Sequence, residues 1–329
     1  MKTRIQVIAV FAIGVLGVIG CGPSPEALAA QSATQIAHLA TTALPTERPV
    51  ESAWSTKGDP NPFKTPDGVA VDQQGNLYVM DSGNNRVQKF DSVGRFVTMW
   101  GTKGAGDGQF DCSTICMVAV DRNGDVFVTD RNNGRVEKFD TSGKFIMKWG
   151  SLGSGDGQFN APFGIAVDPN GNVYVGDVGN YRVEKFTGAG KFLGKWGSSG
   201  YQDGQFSEDL ADIAADAQGN VYVTDRSYGL QKFDSGGRFI ARLKSCGDDK
   251  PLYLAAGVAV DAQGNVYVSD ILNKRICKLD PYGRFLNRWD GSDSADGPIS
   301  SVGGVAVDQH GNVYGAELFD NRVRKFHQP

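Results

Sequence analysis

Gly68-Val69-Ala70-Val71-Asp72, continued by Gly75-Asn76-Leu77-Tyr78-Val79-Met80-Asp81, Asn85-Arg86-Val87-Gln88-Lys89-Phe90 and Arg95-Phe96-Val97-Thr98-Met99-Trp100, is the stretch that decides the fold. It holds four short runs of β-branched and aromatic residues, parted by Gly, Asn and Asp, which tolerate the positive φ of tight hairpin turns. This pattern dictates a four-stranded antiparallel meander. The Asp that closes the first run recurs at Asp121, Asp168, Asp216, Asp261 and Asp308, at intervals of 49, 47, 48, 45 and 47 residues. One meander cannot cover both its faces, whereas a ring of them buries each sheet against its neighbours. The reading is all-β: a six-bladed β-propeller of four-stranded antiparallel blades spanning residues 50–329.

The ring must also close. The sixth unit ends at Asn321-Arg322-Val323-Arg324-Lys325-Phe326-His327-Gln328-Pro329 and lacks the outer strand that ends in Trp100, Trp149, Trp196 and Trp289 in units one, two, three and five. Val50-Glu51-Ser52-Ala53-Trp54, followed by Ser55-Thr56-Lys57-Gly58, matches Met99-Trp100-Gly101-Thr102-Lys103-Gly104. The strand at residues 50–54 is therefore expected to complete the last blade.

Composition agrees with a globular, turn-rich chain. Among 329 residues, 40% are hydrophobic, with 44 Gly against 13 Pro, which excludes a disordered chain and a collagen. The net charge of -4 provides no basic field to gather phosphates, so nucleic acid is not an expected partner.

Residues 1–20 place Lys2 and Arg4 ahead of an apolar run from Ile5 to Gly20, the pattern of an export signal and too short and Gly-rich for the ~20 residues of a membrane span. Val18-Ile19-Gly20-Cys21 resembles the bacterial lipobox, which implies lipidation of Cys21; cleavage after Ala27-Leu28-Ala29 is the competing reading. Residues 21–49, rich in Ala, Thr, Ser and Pro without strand alternation, read as a flexible tether. The chain is thus expected to be exported and lipid-anchored on the periplasmic or cell-surface side of a bacterial membrane.

The recurring phrases Gly-Val-Ala-Val-Asp, Gly-Asn-Val-Tyr-Val, Asn-x-Arg-Val-x-Lys-Phe and Asp-Gly-Gln-Phe resemble NHL repeats over nearly all of residues 50–329. The resemblance implies a six-bladed propeller. Its members range from extracellular sensor domains and exported bacterial proteins to RNA-binding relatives of ubiquitin ligases and a peptide-amidating lyase, so it does not transfer a function.

Residues present in every unit are structural before they are functional. Asp81, Asp130, Asp177, Asp225 and Asp270 close the second strand, and Arg86, Arg135, Arg182, Arg275 and Arg322 open the third, so a pair across that loop is expected. Asp107, Asp156 and Asp203 begin Asp-Gly-Gln-Phe motifs with one carboxylate per loop, short of the roughly six to eight oxygens calcium takes, and read as turn formers. The three histidines, His38, His310 and His327, fall in the tether, a hairpin turn and the C-terminus, where no zinc triad forms. No Gly-x-Ser-x-Gly elbow is present. With Cys21 set aside, Cys112, Cys116, Cys246 and Cys277 form an even set with three pairings open: Cys112 and Cys116 close a small loop in one, and Cys246 precedes the blade whose third strand carries Cys277.

Positions that break the repeat carry the functional information. Interblade loops and the loops joining strands two and three open on one face. There, the position ahead of the first strand reads Asp67, Cys116, Phe163, Ala211, Ala256 and Gly303, with Met117 and Asp212 in place of the usual Gly. Asp67, Met117, Phe163 and Asp212 are the channel-mouth candidates. The second-to-third loops carry Arg131, Tyr181, Tyr228, Ile271-Leu272 and Leu318-Phe319; the tyrosines and apolar pairs are expected to form a partner-binding rim. Gly315 and Glu317 depart from the Val and Asp of other units. The reading is a non-enzymatic, monomeric binding module for a protein, peptide or glycan, with no cofactor or metal. The alternative is a calcium-dependent hydrolase or lyase, with Asp67 and Asp212 the obvious acids.

Overall fold

The computed structural model describes residues 52–327, apart from 58–59, 114, 248–249 and 293–295. The export signal, Cys21, the tether and His38 lie outside the described residues. Six four-stranded antiparallel sheets, blades one to six, run over residues 66–100, 118–149, 162–196, 210–243, 255–289 and 302–326. Ser52–Thr56 is the outer strand of blade six, pairing antiparallel with Arg322–Phe326 with Ser55 opposite Arg324 and Thr56 opposite Val323. The ring therefore closes as the repeat register requires, and the strand runs two residues past Trp54.

Each repeated residue has a mechanical role. Asp72 Oδ1 accepts the amide hydrogens of Gln74 and Asn76 (2.9 and 2.8 Å), and Oδ2 accepts from the Asn76 side chain (2.8 Å) and the Tyr78 hydroxyl (3.1 Å). One carboxylate thus closes the first hairpin turn and satisfies a buried phenol, and Asp168, Asp216, Asp261 and Asp308 do likewise with Tyr174, Tyr222, Tyr267 and Tyr314. Blade two has Phe127 at the tyrosine position, and Asp125 in place of the Asn takes an ion pair from Lys138 at 2.7 Å. In every blade a third-strand lysine lies over the second-strand ring, 4.9 to 5.3 Å from its centroid. Several of these lysines reach the next blade: Lys89 donates to Thr141 Oγ1 (2.8 Å), and Lys325 to the Ser92 carbonyl (3.4 Å) across the closure. Trp100, Trp149 and Trp196 pack on Phe139, Phe186 and Phe233 of the following blade, with centroids 5.9 to 6.0 Å apart.

The expected acid–arginine pairs form across the second loop, at 2.8 Å for Asp81–Arg86 and Asp177–Arg182, 2.7 Å for Asp130–Arg135 and 3.0 Å for Asp270–Arg275. Blade six substitutes Glu317, which holds both Arg322 and the fully buried Arg324. The Asp-Gly-Gln-Phe motifs do form turns, through Gln: Gln109 Oε1 accepts from Gly106 N at 2.9 Å, while Asp107 instead pairs with Lys148 of the outer strand at 2.7 Å. One placement differs from expectation. Asp67, Phe163, Ala211, Ala256 and Gly303 are the second residues of their innermost strands rather than preceding them, because a register irregularity near each strand's start lets pairing resume after an unpaired step.

The cysteines adopt one of the three open pairings, Cys112–Cys116 and Cys246–Cys277.

Candidate functional site

The innermost strands set the geometry of the channel mouth. Glycine at positions 68 and 164 lets neighbouring strands approach: a Cβ on Gly164 would sit 2.6 Å from the Ala211 carbonyl oxygen, and one on Gly68 2.9 Å from Val118 N. The equivalent residues facing them are Met117 and Asp212, whose backbone atoms approach the glycines. Both are buried. Below the mouth a cavity of about 150 Å³ is lined by aliphatic residues, Ile165, Ile213, Val258 and Val305 among them, with Asp212 the one acid.

Asp67 and Asp212, the two acids singled out from sequence, are buried and close enough to influence each other. Burial pushes Asp67 up to about 6, opposed by the Arg226 charge and the Gly304 amide, and its Oδ2 has no hydrogen-bond partner among the described residues. Burial pushes Asp212 up to about 8 despite amide hydrogens from Ile213 (2.8 Å) and Val258 (3.2 Å), and the Asp67 charge raises it further. These acids do not fit calcium. Both Asp212 oxygens already accept amides, its proton is largely retained at neutral pH, and two carboxyls fall short of the roughly six to eight oxygens required.

The raised values have a consequence for stability. A carboxyl that holds its proton more tightly when folded stabilises the fold fully below its unfolded value of 3.8, and that contribution is lost as pH rises through about 6 for Asp67 and about 8 for Asp212. Glu137 and Glu184, pushed up to about 7 by burial, act with the same sign. Urea unfolding is expected to show lower stability at about pH 8 than at about pH 5. Asp212→Ala should flatten the upper part of that slope, and a variant slope as steep as the wild type's would remove Asp212 as its source.

Around the mouth, the residue following the second-strand acid varies among the blades and is arginine in two of them: Ser82, Arg131, Val178, Arg226, Ile271 and Leu318. Arg131 and Arg226, from blades two and four, converge on Phe163 of the blade between them, their guanidinium carbons 5.0 and 5.7 Å from the ring centroid. Thr129 Oγ1, donating to the Phe163 carbonyl at 2.8 Å, fixes the backbone that carries the ring. Burial and the neighbouring Arg226 charge both pull Arg131 below the usual arginine range.

Beside Arg226 a groove of about 410 Å³ runs between blades four and five, lined by Tyr228, Lys244, Tyr253, Leu254 and Leu272 among others. Tyr228 stacks on exposed Tyr201 at 4.7 Å. Of the expected rim residues, Leu272 and Phe319 are 62% and 82% exposed, and Ile271, Leu318 and Tyr181 are half-buried. The groove takes Tyr228 and Leu272 but neither Tyr181 nor Phe319 lines it, and Leu318 turns in toward Gly303 and Asp67. Sequence reasoning passed over Arg226, Lys244, Tyr201 and Tyr253. The available signal for Arg226 was its shared register with Arg131.

Residues 63–90, 118–139 and 159–186 match the NHL repeat family. The chain thus carries NHL repeats in blades one to three of a six-bladed β-propeller. No curated protein sequence matches it. Among solved structures, virginiamycin B lyase from Staphylococcus aureus superposes with a TM-score of 0.56 at 12% identity, covering 81% of this chain and 96% of that one. A Bacteroides thetaiotaomicron protein of unknown function does so with a TM-score of 0.62 at 17% identity, over 84% and 73%. At these identities the likeness is one of fold.

Proposed function

We propose that the chain is an exported lipoprotein, anchored through Cys21, whose propeller is a non-enzymatic binding module for a protein, peptide or glycan partner of the cell envelope. The observation that carries this reading is the asymmetric groove and mouth on one face, where exposed Tyr201, Tyr253 and Leu272 adjoin a half-buried arginine pair. Exposed aromatic and apolar side chains next to convergent polar groups are the composition of a partner site. A general acid or base poised for chemistry would need a reachable titrating group, whereas Asp67 and Asp212 are buried.

One experiment in a bacterial host tests both parts. The full-length chain should incorporate labelled fatty acid and Cys21→Ala should not; labelling that persists overturns the anchor. In the same cells, cross-linking should recover an envelope partner with the wild type, and Leu272→Ser with Phe319→Ser should lose it. Both side chains are mostly exposed, so the pair should shift the melting temperature by no more than ~2 °C. Loss of stability together with binding would make these residues caps of their own blades instead.

A further inference from the structure

Arg131 and Arg226 place two guanidinium groups against one aromatic ring, and among the described residues neither makes a hydrogen bond or ion pair through its side chain. Arg226 Nε is buried and without an acceptor. Other buried arginines are engaged through their side chains: Arg135 and Arg182 each hold two carboxylates and several carbonyls, and Arg324, whose Nε also lacks an acceptor, holds Glu317 and two carbonyls through its other nitrogens. Cations brought together with their donors unfilled form an arrangement that an incoming anion completes, because charge-assisted hydrogen bonds to guanidinium are strongest where water is excluded.

The surroundings narrow the anion. At the mouth the Asp67 carboxylate acts on Arg226 through its charge without an ion pair to it, and Lys244 adds a further cation beside the groove, so the site favours an anion. Arg226 also lines the groove, whose walls are otherwise largely apolar and aromatic, with Tyr228, Tyr253, Leu254 and Leu272. An apolar side chain in the groove and a carboxylate on the arginines are therefore presented side by side. Leu252, Leu254 and Leu272 in the wall favour an apolar peptide side chain over a glycan as the groove's occupant.

We infer that the face binds a peptide through a carboxylate held by Arg131 and Arg226, with the adjoining apolar side chain seated in the groove between blades four and five. This rests on the binding-module reading and specifies its ligand.

The test uses N-acetyl-L-phenylalanine and N-acetyl-L-phenylalaninamide, which differ only in the carboxylate, titrated into the folded domain while the arginine Nε–H resonances are followed by NMR. The acid should shift the Arg131 and Arg226 signals and bind at least ~10-fold more tightly than the amide, equivalent to about 1.4 kcal/mol. Arg226→Met should abolish the difference, and Lys195→Met, on the outer strand of blade three and away from the groove, should preserve it. Equal binding of acid and amide overturns the carboxylate assignment. Acetate binding as tightly as the acid overturns the groove's part, and N-acetylneuraminic acid binding in preference to both overturns the peptide. None of these outcomes affects the cross-linking result, so the binding-module reading stands or falls separately.

Discussion

Deleting residues 50–56 is expected to destabilise the entire propeller. Ser52–Thr56 is the hydrogen-bonded partner of Arg322–Phe326, and the two lie at opposite ends of the repeat, so this pairing fastens the ring. Its loss exposes an edge whose inner neighbours, Val323 and Phe326, are fully buried. Uncovering two such side chains costs about 3–5 kcal/mol. At about 2–4 °C per kcal/mol for a domain of this size, calorimetry should show a melting temperature lower by roughly 10 °C or more. The freed edge is a template for strand addition, so gel filtration should show aggregates. A peptide of residues 47–57 added in trans should restore part of the loss. A truncated domain melting within ~2 °C of wild type would mean that closure rests elsewhere, on contacts such as Lys325 with Ser92.

The architecture was legible because it is written six times. A spacing near 47 residues, an Asp at each first strand and a missing last strand suffice to give blade number, strand count and closure, since every blade solves the same burial problem. The candidate site was only partly legible. Asp67 and Asp212 stood out as acids at apolar or glycine positions, and the structure brings them together. The arginine pair did not stand out, because Arg131 and Arg226 are separated by a whole blade in sequence and meet only on the Phe163 ring. The apolar rim was read as a single cluster, whereas Leu272 joins the groove and Leu318 turns inward. Side-chain direction at a loop follows from local packing, which the repeat does not encode.

The same contrast between repeat and exception bears on the disulfide of blade five. The third residue of each third strand ties down the loop entering its blade. Gln88 Nε2 donates to the Asn61 carbonyl (2.8 Å), Glu137 accepts from Gly108 N (2.8 Å), Glu184 from Gly157 N (3.2 Å), Gln231 donates to the Gln205 carbonyl (2.7 Å), and Arg324 donates to the Gly297 carbonyl (2.6 Å). In blade five this position is Cys277, and its link to Cys246 makes the same fastening covalent. Residues 246 and 277 are 31 apart, against 4 for Cys112 and Cys116. On a chain-entropy basis the longer closure contributes about 3–4 kcal/mol and the shorter about 2 kcal/mol. Cys277→Ser with Cys246→Ala should therefore lower the melting temperature by roughly 7–14 °C, more than loss of the Cys112–Cys116 bond. Cys277→Gln with Cys246→Ala should recover part of that loss, because glutamine performs this task from the same register in blades one and four. If the Gln variant melts no higher than the Ser variant, the shared-position argument fails and the disulfide acts through chain entropy alone. If reductant leaves the wild-type melting temperature unchanged, the disulfide contributes nothing, and the loop is held by the remaining contacts of Leu252, whose amide donates to the Lys244 carbonyl at 2.7 Å.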